Sequence, residues 1–184
     1  MASGWSKVAR RIRVPLGFAF AAVFLWLARP GAESLALSLL VVAPGLWLRG
    51  YAAGYVKKNA EVTMTGPYAF TRNPLYLGSM LIAFGFALAA RSQWIALALA
   101  VLFAVIYIPV IRAEEEYLRS QFAAYEEYAA RVPRLIPRLR AEPAEGDSGG
   151  GFSAELYRKH REYNALMGAA AIYAALILKM CFWR

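Results

Sequence analysis

Arg72, Asn73, Pro74 and Tyr76 stand together in Thr65–Gly78, TGPYAFTRNPLYLG, directly before a long apolar stretch. Asn is a strong helix N-cap and Pro fits the first helical position, so a helix is expected to start at Asn73-Pro74. Its first turn presents free backbone N–H groups and the positive end of the helix dipole. With Arg72 one residue earlier, this makes a site for a carboxylate or a phosphate. Gly66-Pro67 supplies a turn before it, and Tyr68, Phe70 and Tyr76 offer aromatic faces. Further on, Arg112-Ala113-Glu114-Glu115-Glu116-Tyr117 closes another apolar run. Carboxylates are unfavourable at a helix C-terminus, so at least one of these glutamates needs a cationic partner or a ligand.

The elements between the two motifs decide whether they meet. The runs Leu75–Ala90 and Trp94–Ile111 are joined only by Arg91-Ser92-Gln93. So short a turn forces an antiparallel pair. The start of one helix then lies beside the end of the other, and Arg72 faces Glu114–Glu116. A zwitterionic ligand suits that pair, with its carboxylate on Arg72 and the helix start and its ammonium, or ribose hydroxyls, on a Glu. Blander roles are an anchoring or structurally paired Arg72, a solvated glutamate run and an interfacial tyrosine belt. The belt is the preferred reading for Tyr125 and Tyr128.

The chain of 184 residues is 60% hydrophobic, and the apolar residues come in five blocks, about Val14–Ala28, Leu35–Leu48, Leu75–Ala90, Trp94–Ile111 and Ala165–Trp183. That pattern is an all-α polytopic membrane bundle of about five spans. Pro44-Gly45 interrupts the second block, where a re-entrant course is the alternative. The basic start (Lys7, Arg10, Arg11, Arg13) precedes a retained first span, because Ala28-Arg29-Pro30-Gly31 is a poor cleavage site. The net charge is +9, and most Lys and Arg fall in 1–13, 49–72 and 112–164. The positive-inside rule puts these in the cytoplasm, with the N-terminus in and, for five spans, the C-terminus out. The charge is thus a topology signal and an attraction to anionic lipid, not a nucleic-acid footprint. A single cysteine, Cys181, and a single histidine, His160, argue against a thiolate or histidine metal site.

Four regions follow. Residues 1–61 form a two-span hairpin and connector, 62–140 the functional core, 141–151 a flexible linker, and 152–184 a polar helix (Ser153–Asn164) leading into the last span. Within the core, Leu118, Phe122, Tyr125, Ala129 and Val132 lie on one face of an amphipathic helix expected to rest at the bilayer interface. In the last span Gly168, Ala169, Ala170, Ala171, Ala174 and Ala175 form a small-residue face expected to pack on the bundle.

TGPYAFTRNPLYLG, the hairpin, and then RAEEEYLRSQF followed by Tyr125, Tyr128 and VPRLIPR resemble the isoprenylcysteine carboxyl methyltransferase and phospholipid methyltransferase superfamily. The matching positions are Arg72, Asn73, Pro74, Tyr76, Gly78, Glu114, Glu115, Leu118, Phe122 and Val132-Pro133, within about Val62–Arg140. The resemblance implies an integral membrane methyltransferase that uses S-adenosylmethionine from a cytoplasmic pocket. It also implies a lipophilic acceptor arriving from the bilayer, either an isoprenylcysteine-like carboxylate or a phospholipid or amine headgroup. Asn73 replaces the His of the prenylcysteine branch, as in phospholipid-type members, and Phe122-Ala123 replaces Phe-Gly. Tyr68, Arg72, Asn73, Pro74, Tyr76, Gly78, Glu114 and Glu115 are the expected cofactor contacts. The catalytic residue is open between Glu115 and Arg72, and no metal is expected. The acceptor's tail is expected between the third or fourth span and the small-residue face of the fifth. Two alternatives stand beside this: an NADPH-dependent membrane reductase of the steroid-reductase type, which would use Lys57-Lys58 for the extra phosphate, and a non-enzymatic scaffold.

Overall fold

A computed structural model describes residues 19–57, 62–142 and 151–182. The basic N-terminal stretch, Lys58-Asn59 and most of the expected linker lie outside the described residues. Every described element is helical: α1 (19–27 of its residues), α2 (Ala32–Ala53), a 3-10 turn (Gly66–Ala69), α3 (Pro74–Ala90), α4 (Gln93–Leu102), α5 (Ile108–Gln121), α6 (Ala124–Arg131), α7 (Ala154–Lys159) and α8 (Tyr163–Phe182). Among the described residues three helices are long and apolar enough to cross a membrane: Ala32–Ala53, the continuous Gln93–Gln121 and Tyr163–Phe182, with Pro74–Ala90 a shorter apolar helix beside them.

Pro44 does not interrupt α2, which runs unbroken through it for 22 residues. The Pro44-Gly45 pair instead serves packing. A Cβ on Gly45 would stand 2.9 Å from the Gly78 carbonyl oxygen, and one on Gly78 would stand 2.8 Å from the Gly45 carbonyl oxygen. The two glycines therefore let the backbones of α2 and α3 approach as small residues do in lipid. Ser34 Oγ donates to the Ala89 carbonyl at 3.0 Å, and the Arg29 N–H to that of Ala90 at 2.9 Å. These contacts tie the α1–α2 turn to the α3–α4 turn at the end of the bundle opposite Asn73.

The long helix from Gln93 to Gln121 contains a π-helical turn at Phe103–Tyr107. Pro109 explains it, because its ring would collide with the carbonyl four residues back in a regular α-helix. The wider turn aims Phe103 and Tyr107 together, with their rings stacked at 5.1 Å.

Two expectations are corrected here. The amphipathic face does not lie on one helix, since α5 ends at Gln121 and α6 restarts at Ala124. Nor does it face the bilayer. Tyr125, Tyr128 and Val132 are buried with Val62, Met64, Leu118 and Phe122, roofing the 3-10 turn, and Tyr128 donates to the Tyr68 carbonyl at 2.7 Å. The small-residue face of α8 is used only in part: Ala169 is buried in the bundle, whereas Gly168, Ala170, Ala171 and Ala174 are exposed. The helix packs through Ala169, Ile172, Tyr173 and Leu176, an i, i+3, i+4, i+7 stripe. Bulkier side chains reach further into the groove between α2 and α3, and the Tyr173 hydroxyl meets Ser38 Oγ at 2.8 Å. Lys179 Nζ, near the end of α8, donates to the carbonyls of Leu25 and Trp26 at 2.6 and 2.8 Å, capping α1.

The polar helix before α8 is broken, with Arg161 at φ 53° between α7 and α8. The break lets α7 fold back on the end of α2. The Ser153 N–H donates to the Gly54 carbonyl at 2.9 Å, Phe152 stacks on Tyr51, and His160 Nδ1 lies 3.0 Å from the Ala53 carbonyl.

Candidate active site

The three-residue turn does bring the two motifs together. Pro74 opens α3 at its first position, and Glu115 lies one turn past the apolar part of the α4–α5 helix. Asn73 Nδ2 donates to Glu115 Oε1 at 3.2 Å, and Tyr76 Oη donates to Glu114 Oε1 at 3.0 Å. Asn73 occupies the N-cap position, but its side chain makes no capping bond. Its amide is spent on Glu115 and on the Arg134 carbonyl, 3.0 Å away. Pro74 has no N–H, and the Leu77 N–H donates to the Asn73 carbonyl at 3.0 Å, so the start of α3 contributes the positive end of its dipole.

Glu115 is the centre of the arrangement, with 1% of its surface exposed. Arg134 grips it with a fork, Nε at 3.1 Å from both oxygens and Nη2 at 2.9 Å from Oε2. Sequence reasoning missed Arg134 as a site residue. The signal was present in the VPRLIPR stretch, but only the chain's path reveals the contact. That path is set by Thr71, whose buried Oγ1 donates to the Arg134 and Leu135 carbonyls at 3.2 and 3.1 Å, and by the Arg72 N–H, which donates to the Pro133 carbonyl at 2.9 Å.

Arg72 is left in a different state. Its side chain is 9% exposed, and Nη1 is 3.7 Å from Glu115 Oε2, an ion pair without a hydrogen bond. Its Nε and Nη1 are buried and have no acceptor. A buried donor without a partner costs about 1–3 kcal/mol, so such groups mark a place where an acceptor belongs. Charge counting agrees. Arg72 and Arg134 share one buried carboxylate, which leaves an excess positive charge beside the positive end of α3.

Tyr68 is buried under α6, and its pKa is pushed up by burial and then by Glu162 and Glu114, with Arg49 opposing. Burial also raises Tyr128 and Tyr125; Glu115 adds to the rise and Arg72 opposes it. All three stay protonated near neutral pH. Tyr76 sets its ring edge-on to Tyr107 at 5.8 Å. Gly78 is placed at the crossing with α2, with Arg49 over it. Arg49 itself was not foreseen. It forks onto Glu162 at 2.9 and 3.0 Å and also donates to Ser79 Oγ, fastening the α7–α8 junction to α2 and α3.

Between α1, α3 and α4 lies an apolar cavity of about 140 Å³, bounded by Phe20, Met80, Phe84, Leu99, Phe103 and Tyr107 among others. Through Tyr107 it adjoins Tyr76 and so Glu114. Among the described residues no group of three or more His, Cys, Asp or Glu comes together to hold a metal.

An apolar helical bundle with two arginines sharing one buried carboxylate at one end of its hairpin defines a membrane protein with a candidate anion site. Residues 43–125 match the phospholipid methyltransferase family, which lies within the membrane methyltransferase superfamily that the paired motifs resemble. Two relatives are similar over part of the chain. One is the cobalt-zinc-cadmium resistance protein CzcN of Cupriavidus metallidurans, 38% identical over 105 residues, 57% of this chain and 47% of that one. The other is the nickel-cobalt-cadmium resistance protein NccN of Alcaligenes xylosoxydans xylosoxydans, 37% identical over 94 residues, 51% of this chain and 43% of that one. The similarity thus spans just under half the length of these curated relatives. No solved structure matches the chain.

Proposed function

We propose that this protein is an S-adenosylmethionine-dependent methyltransferase of the bilayer, acting on a lipophilic acceptor. The observation that carries the proposal is Arg72, a guanidinium nine-tenths buried with Nε and Nη1 unpartnered at the first turn of α3. A buried guanidinium with unpartnered N–H donors beside the positive end of a helix fits a carboxylate, the anionic end of an amino-acid cofactor. The family match of residues 43–125 supports the methyl-transfer reading.

When bound, S-adenosylmethionine supplies an electrophilic methyl carbon carried on a sulfonium. The chain's own work is orientation and exclusion of water. Arg72, beside the positive end of α3, binds the carboxylate. Glu115 is committed to Arg134 and Asn73, so it positions Arg72 rather than gripping a ribose. Glu114, exposed and already accepting from Tyr76, is the carboxylate left for an ammonium or for ribose hydroxyls. The faces of Tyr76 and Tyr68 border this space, and an aromatic face attracts a sulfonium cation. The Tyr125–Tyr128 roof excludes water above Tyr68.

The acceptor's tail has a better place than the α8 face, where Gly168, Ala170, Ala171 and Ala174 are exposed and Ala169 is already packed in the core. The apolar cavity between α1, α3 and α4 adjoins Tyr76 through Tyr107 and lies within reach of lipid. A carboxylate acceptor loses no proton on methylation, whereas an amine must. With the buried tyrosines held protonated, Glu114 is the base for an amine. The basic connectors on the site's side of the bundle put that side in the cytoplasm, where the cofactor is made.

The test is calorimetric titration of detergent-purified protein with S-adenosylhomocysteine, with NADPH in parallel. Saturable binding of the first, weakened more than tenfold in Arg72→Ala, is expected. Normal binding by that variant would reject the site, and binding of NADPH alone would favour a reductase.

A further inference from the structure

We infer that the segment after α6, residues 133–142, is a bilayer-docking loop that inserts Ile136 and Leu139 among the lipids at the membrane surface. The amphipathic helix expected to lie at the bilayer interface is instead turned inward to roof Tyr68. Three observations support it. First, Ile136 is 82% exposed and Leu139 100% exposed, while the neighbouring apolar side chains Tyr125, Tyr128 and Val132 are buried. Leaving an aliphatic side chain in water is unfavourable relative to burial; two within one short proline-braced loop point to a surface that covers them.

Second, the loop's height is fixed at the membrane boundary. Arg138 N–H donates to the Phe70 carbonyl at 3.0 Å, Glu142 N–H to that of Ala69 at 3.0 Å, and Thr71 holds the Arg134 and Leu135 carbonyls. These bonds lace the loop along residues 69–72, directly before the apolar helix α3, and Phe70 is itself partly exposed there. Third, charge selects the occupant. Residues 131–142 hold four arginines and one glutamate; Arg134 pairs with Glu115, and Arg131 and Arg138 pair with Glu142, so Arg140, exposed beside Leu139, is the cation that meets a headgroup. Aliphatic wedges among arginines match the headgroup and acyl boundary of an anionic bilayer, rather than an apolar protein groove. The same loop carries Arg134 to Glu115, so its seating in lipid sets the frame of the buried charge cluster.

The experiment places a fluorophore on Leu139→Cys in a Cys181→Ser background, in nanodiscs of mixed zwitterionic and anionic lipid. Leu97→Cys on α4 serves as the control inside the membrane span and Glu127→Cys on α6 as the aqueous control. Quenching by nitroxide lipids at position 139 should reach at least about half that at position 97, with protection from aqueous iodide, as interfacial insertion requires. Arg140→Gln should lower the lipid quenching at 139 in anionic discs and leave it unchanged in zwitterionic ones. Iodide quenching at 139 equal to that at 127 would overturn the inference. Protection from both quenchers would also overturn it, since protein and not lipid would then cover the loop. Cofactor binding enters none of these readings, so they stand or fall apart from the proposed activity.

Discussion

At the residue scale, the site turns on how two arginines divide one carboxylate. Arg134 takes Glu115 by hydrogen bonds and Arg72 only by charge, which keeps Arg72's donors available. If so, Arg134→Ala should weaken S-adenosylhomocysteine binding several-fold, although Arg134 needs no contact with the ligand, because Arg72 would swing onto the vacated oxygens. Titration calorimetry reads this, and Arg134→Lys should restore only part of it, since an ammonium lacks the fork. Glu115→Ala should be the more damaging change to the fold. It leaves a buried guanidinium without a counter-charge, a loss of about 3–5 kcal/mol where such pairs are broken on one side. Thermal unfolding of the two variants side by side should rank them in that order.

At the element scale, the close approach of α2 to α3 decides where everything else can sit. Gly78→Leu should destabilise the bundle by about 1–3 kcal/mol by overpacking, because the Gly45 carbonyl and the Arg49 side chain stand where the new atoms would go. A stability unchanged in denaturant titration would mean that the crossing is looser than drawn. Arg49 is the second fastening. Its fork to Glu162 reaches from α2 to the α7–α8 junction, so Arg49→Ala should free that junction first. Hydrogen exchange should quicken in the amides of α7 and leave those of α3 near their original rate.

At the scale of the whole molecule, three buried tyrosines couple the roof over the site to pH. Tyr68, Tyr125 and Tyr128 all have pKa values raised above the ordinary 10.0, by burial first. Their hydroxyls are therefore protonated in the folded chain at pH values where the unfolded chain has lost those protons. The folded state then binds more protons, and stability falls as pH rises. The contribution is fully present below the ordinary value and is lost above it, so alkaline unfolding should steepen from about pH 10 upward. Tyr128→Phe should flatten that slope, and should cost about 1 kcal/mol at neutral pH for the bond to the Tyr68 carbonyl.

Much of this was legible in the sequence, for reasons that belong to covalent chemistry. A three-residue turn between two apolar runs leaves no choice but an antiparallel pair, so the meeting of Asn73 with Glu115 followed from the chain alone. The helix start at Pro74 and the apolar blocks were equally plain, because proline geometry and hydropathy act locally. What the sequence did not determine were the partners chosen by tertiary packing. Apolar periodicity shows that α6 has a face to bury but not whether lipid or protein covers it. Small residues on α8 permit close contact without requiring it, and the larger Tyr173 and Leu176 filled the groove instead. Arg134 and Arg49 look like any surface arginine until the backbone bonds of Thr71 and the glycine crossing of α2 with α3 set their positions. Contacts between distant segments depend on which surfaces are left after the nearer ones are filled, and only the folded arrangement settles that.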